Sequence, residues 1–145
     1  GYYKNEAATA EVIDEDGWLH TGDMGIIDKD KNIFIKGRCK NMILGASGQN
    51  IYPEEIEAKL NNKEFVSESL VIEKDGKLVA LVYPDYEAIE TCGITLEDLN
   101  PIMDEVRKTL NTEVAPYETI SKIYIYPTEF EKTPKRSIKR FLYTN

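Results

Sequence analysis

Histidine and cysteine are scarce in this chain. It holds one histidine, His20, and two cysteines, Cys39 and Cys92, which lie far apart without metal-ligand spacing. Zinc centres need clustered Cys and His, so the composition argues against one, and no metal ligand is assigned. Two unpaired thiols suit a reducing cytoplasm. Long apolar runs are also missing: none approaches the ~20 residues a membrane helix needs. The opening GYYKNEAATAEV has no basic start followed by an apolar core, and no initiator Met. No secretory leader is expected, and the chain reads as a fragment of something longer. Positive charge is in deficit, with a net charge of −8, which disfavours nucleic acid as a partner. The few cations are unevenly spread. Lys132, Lys135, Arg136, Lys139 and Arg140 crowd the C-terminal end of an otherwise acidic chain. Such a tail reads either as local contact with an anion such as phosphate or as a solvated terminal face.

What is present is ordinary for a globular protein: 145 residues, 41% hydrophobic and 30% charged. That is enough for one domain with a core, or for one domain and a piece of another. Ala7 to Val12 is a candidate short helix. Met24–Ile27 and Ile33–Lys36, separated by the polar turn 28–32, form a hairpin. Glu54–Leu60 reads as a helix, with Ile56 and Leu60 on one face and acidic residues in its first turn. Val66–Glu73 and Lys77–Tyr83 flank an Asp-Gly hairpin turn, and the second run is apolar enough to be covered on both faces. The spacing of Leu96, Leu99, Met103, Val106 and Leu110 predicts a long helix, with all five in the core. Thr95 is its N-cap and Asp98 completes a capping box. Lys122–Tyr126 alternates as a half-buried strand, and 137–143 is expected to be a last short helix. The class is therefore α+β, with helices against a largely antiparallel sheet. Trp18 is expected in the core, and His20 as a hydrogen-bonded turn residue.

The stretch Lys36 to Glu57, KGRCKNMILGASGQNIYPEEIE, organises the rest. Strands enter it and a helix leaves it, with Pro53 at a plausible first position. Between them lie a charged pivot (Arg38, Cys39, Lys40) and a Gly-containing loop (Gly45, Ala46, Ser47, Gly48). Glycine lets a backbone take positive φ and approach a ligand closely, although such loops are also plain connections.

Taken together, GYYKN, GWLHTGD at 17–23, the hairpin, GRCKNMILGASGQNIYPEEIE and KTPKRSIKR resemble the adenylate-forming enzymes. These are the acyl-CoA synthetases, the adenylation domains of peptide synthetases, and firefly luciferase. The likeness covers nearly the whole chain and rests on the order of several motifs. The ending EFEKTPKRSIKRFLY is most similar to long-chain fatty acid–CoA ligases. The resemblance implies that residues 1–37 end a large N-terminal adenylation domain and leave a β-hairpin remnant of it. Residues 38–145 would be the small C-terminal lid, with a hinge near 38–41. It implies ATP, Mg²⁺ and coenzyme A as cofactors or substrates, a fatty acid as the acyl substrate, and the missing N-terminal domain of the same chain as a partner. It also implies a cytoplasmic enzyme with peripheral membrane contact, inactive as this fragment alone. Alternatives are a fragment of an adenylation domain that loads a carrier protein, or a non-catalytic α+β interaction module.

Residue by residue, Asp23 matches the family's Thr-Gly-Asp aspartate, which takes the ribose hydroxyls, with Thr21 beside it. A carboxylate accepts two hydrogen bonds and suits that task. Arg38 matches a nucleotide-contacting arginine. Lys40 matches the hinge position. Gly45, Ser47 and Gly48 resemble the loop that lines the path of the coenzyme A thiol arm. The tail departs from the pattern: Ser137 fills the place of the usual catalytic lysine, and a neutral serine carries no long-range positive charge. Lys139 and Arg136 are the substitute candidates.

Overall fold

The computed structural model describes residues 1–144. It divides into two compact units, Gly1–Asn41 and a second beginning at Met42.

In the first unit, helix α1 (Glu6–Val12) is capped by Asn5, whose side chain accepts from the Ala8 N–H at 3.0 Å. Strands β1 (Asp23–Ile27) and β2 (Ile33–Arg38) pair antiparallel, with a bulge between Met24 and Gly25. Their turn is built on Asp28, whose carboxylate accepts from the backbone N–H groups of Asp30 and Asn32 and from the Asn32 side chain at 2.8–2.9 Å. Those donors favour the charged form and hold the carboxyl below its ordinary range, the Asn32 side chain most of all. No residue of this unit is buried. Trp18, expected in the core, is 74% exposed. It sits on a turn in which its N–H donates to Asp14 Oδ1 at 2.8 Å, and nothing in the unit is thick enough to cover an indole. His20 is the hydrogen-bonded turn residue expected, with Nε2 2.9 Å from Asp14 Oδ2.

The second unit is a three-layer α+β structure. Strands β3 (Ile43–Leu44) and β4 (Asn50–Ile51) form a small hairpin that leads into α2 (Pro53–Asn61), with proline in its first turn. The main sheet has the order β5-β6-β7, from β5 (Val66–Lys74), β6 (Lys77–Pro84) and β7 (Ile120–Ile125). β5 and β6 are antiparallel, joined through Asp75 and Gly76 at positive φ, as a type I′ turn requires. β7 runs parallel to β6. A parallel neighbour needs a crossover, which the helices between β6 and β7 supply. They are α3 (Tyr86–Thr91), unexpected from the sequence, and α4 (Leu96–Glu113), with both bonds of the Thr95–Asp98 capping box.

Alternate residues of the sheet face opposite sides. Val71, Leu78, Ala80 and Val82 pack with Ile56, Leu60, Leu99, Met103 and Leu110 of the helices. Leu70, Ile72 and Val79 pack on the other face with Phe130, backed by Tyr126, Ile138 and Tyr143. The expected face of α4 is thus only partly right: Leu99, Met103 and Leu110 are buried and Val106 lies half-covered at the rim, but Leu96 is 68% exposed. It is the first residue of the helix and lies outside the buried cluster that Leu99, Met103 and Leu110 join. The expected last helix is also corrected. Ile138 bridges Lys132 in an extended pairing, and only Arg140–Leu142 make a 3₁₀ turn. The Lys139 N–H donates to the Glu131 C=O and the Arg140 side chain to the Val71 C=O, so the segment is tied outward and does not continue a helical ladder.

On each outer edge of the sheet one residue has both backbone groups taken by side chains. At β7 the Asn111 amide accepts from the Ile120 N–H at 2.8 Å and donates to its C=O at 3.0 Å. At β5 the Val71 N–H donates to Glu57 Oε1 at 2.8 Å, and Arg140 Nη1 donates to the Val71 C=O at 3.4 Å.

Candidate functional site

In the first unit the β1–β2 pairing places Asp23 directly opposite Arg38. Arg38 Nε lies 3.1 Å from Asp23 Oδ1, and Nη1 donates to the Thr21 C=O at 2.8 Å. The Asp23 N–H reaches Thr21 Oγ1 at 3.3 Å. Thr21, Asp23 and Arg38 therefore converge on one strand end, and the side chains of Asp23 and Arg38 are both open to solvent. A carboxylate and a guanidinium side by side offer acceptors and donors to a vicinal diol. Lys40 lies just beyond, in the 3₁₀ turn Cys39–Asn41.

In the second unit the loop of the β3–β4 hairpin closes through Gly45 N–H to Gln49 C=O and Gly48 N–H to Gly45 C=O, both at 2.8 Å. Gly48 has φ +82°, where a side chain is strained. A Cβ on Gly45 would press on Ile51 at 3.2 Å and on the Gln49 carbonyl at 3.3 Å. Gly45, Ala46 and Ser47 border a cavity of about 440 Å³, completed by Ile43, Lys77, Tyr117 and Ser121. Gly48, the third residue of the expected loop, is not among those that border it.

The tail is a tight turn. The Arg136 N–H donates to the Thr133 C=O and the Thr133 N–H to the Ser137 C=O, both at 2.8 Å. Arg136 sits at φ 62°, an unusual conformation for a residue with a side chain. Lys135, Arg136 and Ser137 are exposed at the tip. Lys139 Nζ is 3.8 Å from Glu131, and Lys132 pairs with Glu68, which holds its ammonium above its usual range. Arg140 is committed to Glu57, a carboxylate 8% exposed on the covered face of α2. Burial pushes the Glu57 carboxyl up, against the opposing pull of Arg140 and of the Val71 N–H.

Sequence reasoning missed Glu57 as a partner of the tail. The signal was there: Pro53, Ile56, Glu57 and Leu60 are the buried positions of α2, so a carboxylate shares the apolar phase of that helix. It missed Tyr117 and Ser121 at the cavity too, because nothing local links them to a loop so distant in sequence. Among the described residues no group of three His, Cys, Asp or Glu could hold a metal ion. No helix is long and apolar enough to cross a membrane.

No family model matches the chain. It is 35% identical to the long-chain-fatty-acid–CoA ligase FadD15 of Mycobacterium tuberculosis, over 97% of this chain and 26% of that protein. It is 34% identical to 4-coumarate–CoA ligase 3 of Oryza sativa, over 97% of this chain and 24% of that protein. Among solved structures, the adenylation domain of a carboxylate reductase from Mycobacterium chelonae superposes with a TM-score of 0.85 at 25% identity, covering 98% of this chain and 24% of that one. The chain thus spans about a quarter of the length of the curated relatives it matches.

Proposed function

From the premise that this chain corresponds to the C-terminal portion of the adenylate-forming enzymes, we propose that the protein carrying it is an ATP-dependent, AMP-forming acyl-CoA ligase. The convergence of Thr21, Asp23 and Arg38 on one strand end is the observation that carries the reading. In the first half-reaction a carboxylate oxygen bonds to the α-phosphorus of ATP, and pyrophosphate leaves with the electrons of the broken P–O bond. In the second the coenzyme A sulfur, its proton lost to solvent, bonds to the acyl carbonyl carbon, and AMP departs. Both steps need a nucleotide held still. Asp23 accepts from the ribose hydroxyls and Arg38 donates beside it. Arg136 and Lys139 supply positive charge in the first step in place of the lysine that Ser137 replaces. Gly45, Ser47 and Gly48 line the path of the thiol arm, which the adjoining cavity supports.

The two units support a division near 38–41 into the end of a large domain and a lid. The first unit buries nothing and exposes Ile26, Ile27, Ile33, Phe34 and Ile35, as expected of a hairpin whose covering layers lie elsewhere in the protein. Long-chain fatty acids are the first acyl class to test, on the FadD15 likeness, with hydroxycinnamates as rivals on the nearly equal 4-coumarate ligase likeness. Two exposed unpaired thiols favour the cytoplasm.

The test uses the complete protein, with ATP–pyrophosphate exchange measured across a panel of carboxylic acids. Asp23→Ala is expected to lower exchange about 10- to 100-fold, the worth of charge-assisted bonds to two hydroxyls. Wild-type exchange in that variant would remove the ribose role. Lys40 is expected to carry the swivel between half-reactions, because a hinge must change its backbone angles. Lys40→Pro should leave exchange within about twofold and cut thioester formation about tenfold or more. Equal survival of both half-reactions would exclude a hinge there.

A further inference from the structure

The Thr133–Ser137 turn carries two cations, Lys135 and Arg136, with no ion-pair partner among the described residues. The other cations of the tail have carboxylate neighbours: Lys132 has Glu68, Lys139 has Glu131 and Arg140 has Glu57. These contacts are unequal. The Lys139 contact is long, and its carboxylate is two-thirds exposed. The Arg140 contact is the most covered of the three, with side chains 18% and 11% exposed.

Its geometry also differs in kind. Arg140 uses one arm on Glu57 and another on the Val71 C=O, while the second oxygen of Glu57 takes the Val71 N–H. The pair thus completes the β5 edge as a neighbouring strand would. Arg140 lies three residues after Ser137. Its backbone N–H donates to the Ile138 C=O within the returning arm, and that of Lys139 donates across to the Glu131 C=O of the entering arm. The path from the β5 edge to the exposed tip is therefore short and hydrogen-bonded throughout.

We propose that Arg140, braced by Glu57 against Val71, is a positioning residue for the adenylation half-reaction. It holds the Thr133–Ser137 turn so that the cations of its tip are presented as a fixed group, in a chain where the single lysine is replaced by serine. Fixed charge stabilises a transition state better than mobile charge because it needs no reorganisation. The role rests on the ligase reading above.

Glu57→Gln tests it in the complete protein. Glutamine keeps the shape and an acceptor for the Val71 N–H, but removes the charge that holds Arg140. Exchange kcat is expected to fall about tenfold, with the KM for ATP within about twofold. Thioester formation from synthetic acyl-adenylate and coenzyme A should stay within about twofold. Arg140→Lys, which cannot bridge Glu57 and Val71 together, should give a smaller loss in the same half-reaction. Backbone amide exchange in this chain should quicken for the N–H groups of Thr133, Arg136 and Lys139, with α4 unchanged.

Equal losses in both half-reactions, or unchanged protection across the turn, would overturn the proposal. So would a KM effect with kcat intact. Absence of wild-type exchange with every acid would instead refute the ligase reading. In that case quickened amide exchange at the turn would leave the brace standing as a structural element alone, and the catalytic role would be lost.

Discussion

Arg140→Leu is expected to destabilise the second unit by about 3–5 kcal/mol at neutral pH. The size comes from what is left behind. Glu57 is buried, and without the guanidinium its charge keeps only the Val71 N–H for compensation. The Val71 carbonyl also loses its donor. The pH dependence follows from the carboxyl's direction of shift. Burial already raises it above its unfolded value, so the folded state holds the proton more tightly than the unfolded chain does. A raised carboxyl contributes stability that is full below the unfolded value and is lost as pH rises through the folded one. Removing Arg140 raises the folded value further and widens that window. The deficit of the variant relative to wild type should therefore shrink as pH falls into the ordinary carboxylate range, and reach its full size above the raised value. Urea unfolding at a series of pH values measures this, and a deficit that does not change with pH would show that Glu57 is not the group left stranded.

Leu110→Ala is expected to cost about 2–5 kcal/mol, while Leu96→Ala stays within about 0.5 kcal/mol. Both leucines sit in α4, one heptad pair apart on the pattern that revealed the helix. Leu110 is fully buried among residues of the sheet and of α2, so truncation leaves a cavity in a packed core. Leu96 is 68% exposed and loses little. Equal losses in denaturant melts would mean that the first turn of α4 is covered after all.

That contrast marks where the sequence was legible. Periodicity locates α4, the capping box fixes its start, and the Asp-Gly turn locates the β5–β6 hairpin, because each signal is local. Which turns of α4 are covered depends on the layer beneath it, and a helical wheel carries no such information. Helix α3 is too short for a 3.6-residue period to emerge, and its cap Asp85 follows a proline that reads only as a strand end. The parallel setting of β7 becomes evident only once both crossover helices are known. Trp18 shows the opposite failure: composition argues for burial, but a unit two strands wide has no interior to offer it. At the candidate site, Asp23 and Arg38 were each legible as motif positions, and their pairing follows once the hairpin register is set. The tail was read as an anion contact or a solvated face, whereas Arg140 is bound to a carboxylate hidden in the apolar phase of α2.

The Asn111 amide has a consequence of a different kind. A bare strand rim is a template on which further chains can add, and continued addition gives fibres. By occupying both the N–H and the C=O of Ile120, one helical side chain denies an incoming strand its first rung. Asn111 borders neither the cavity nor the strand end where Asp23 meets Arg38, so its replacement is expected to alter colloidal behaviour and leave both places intact.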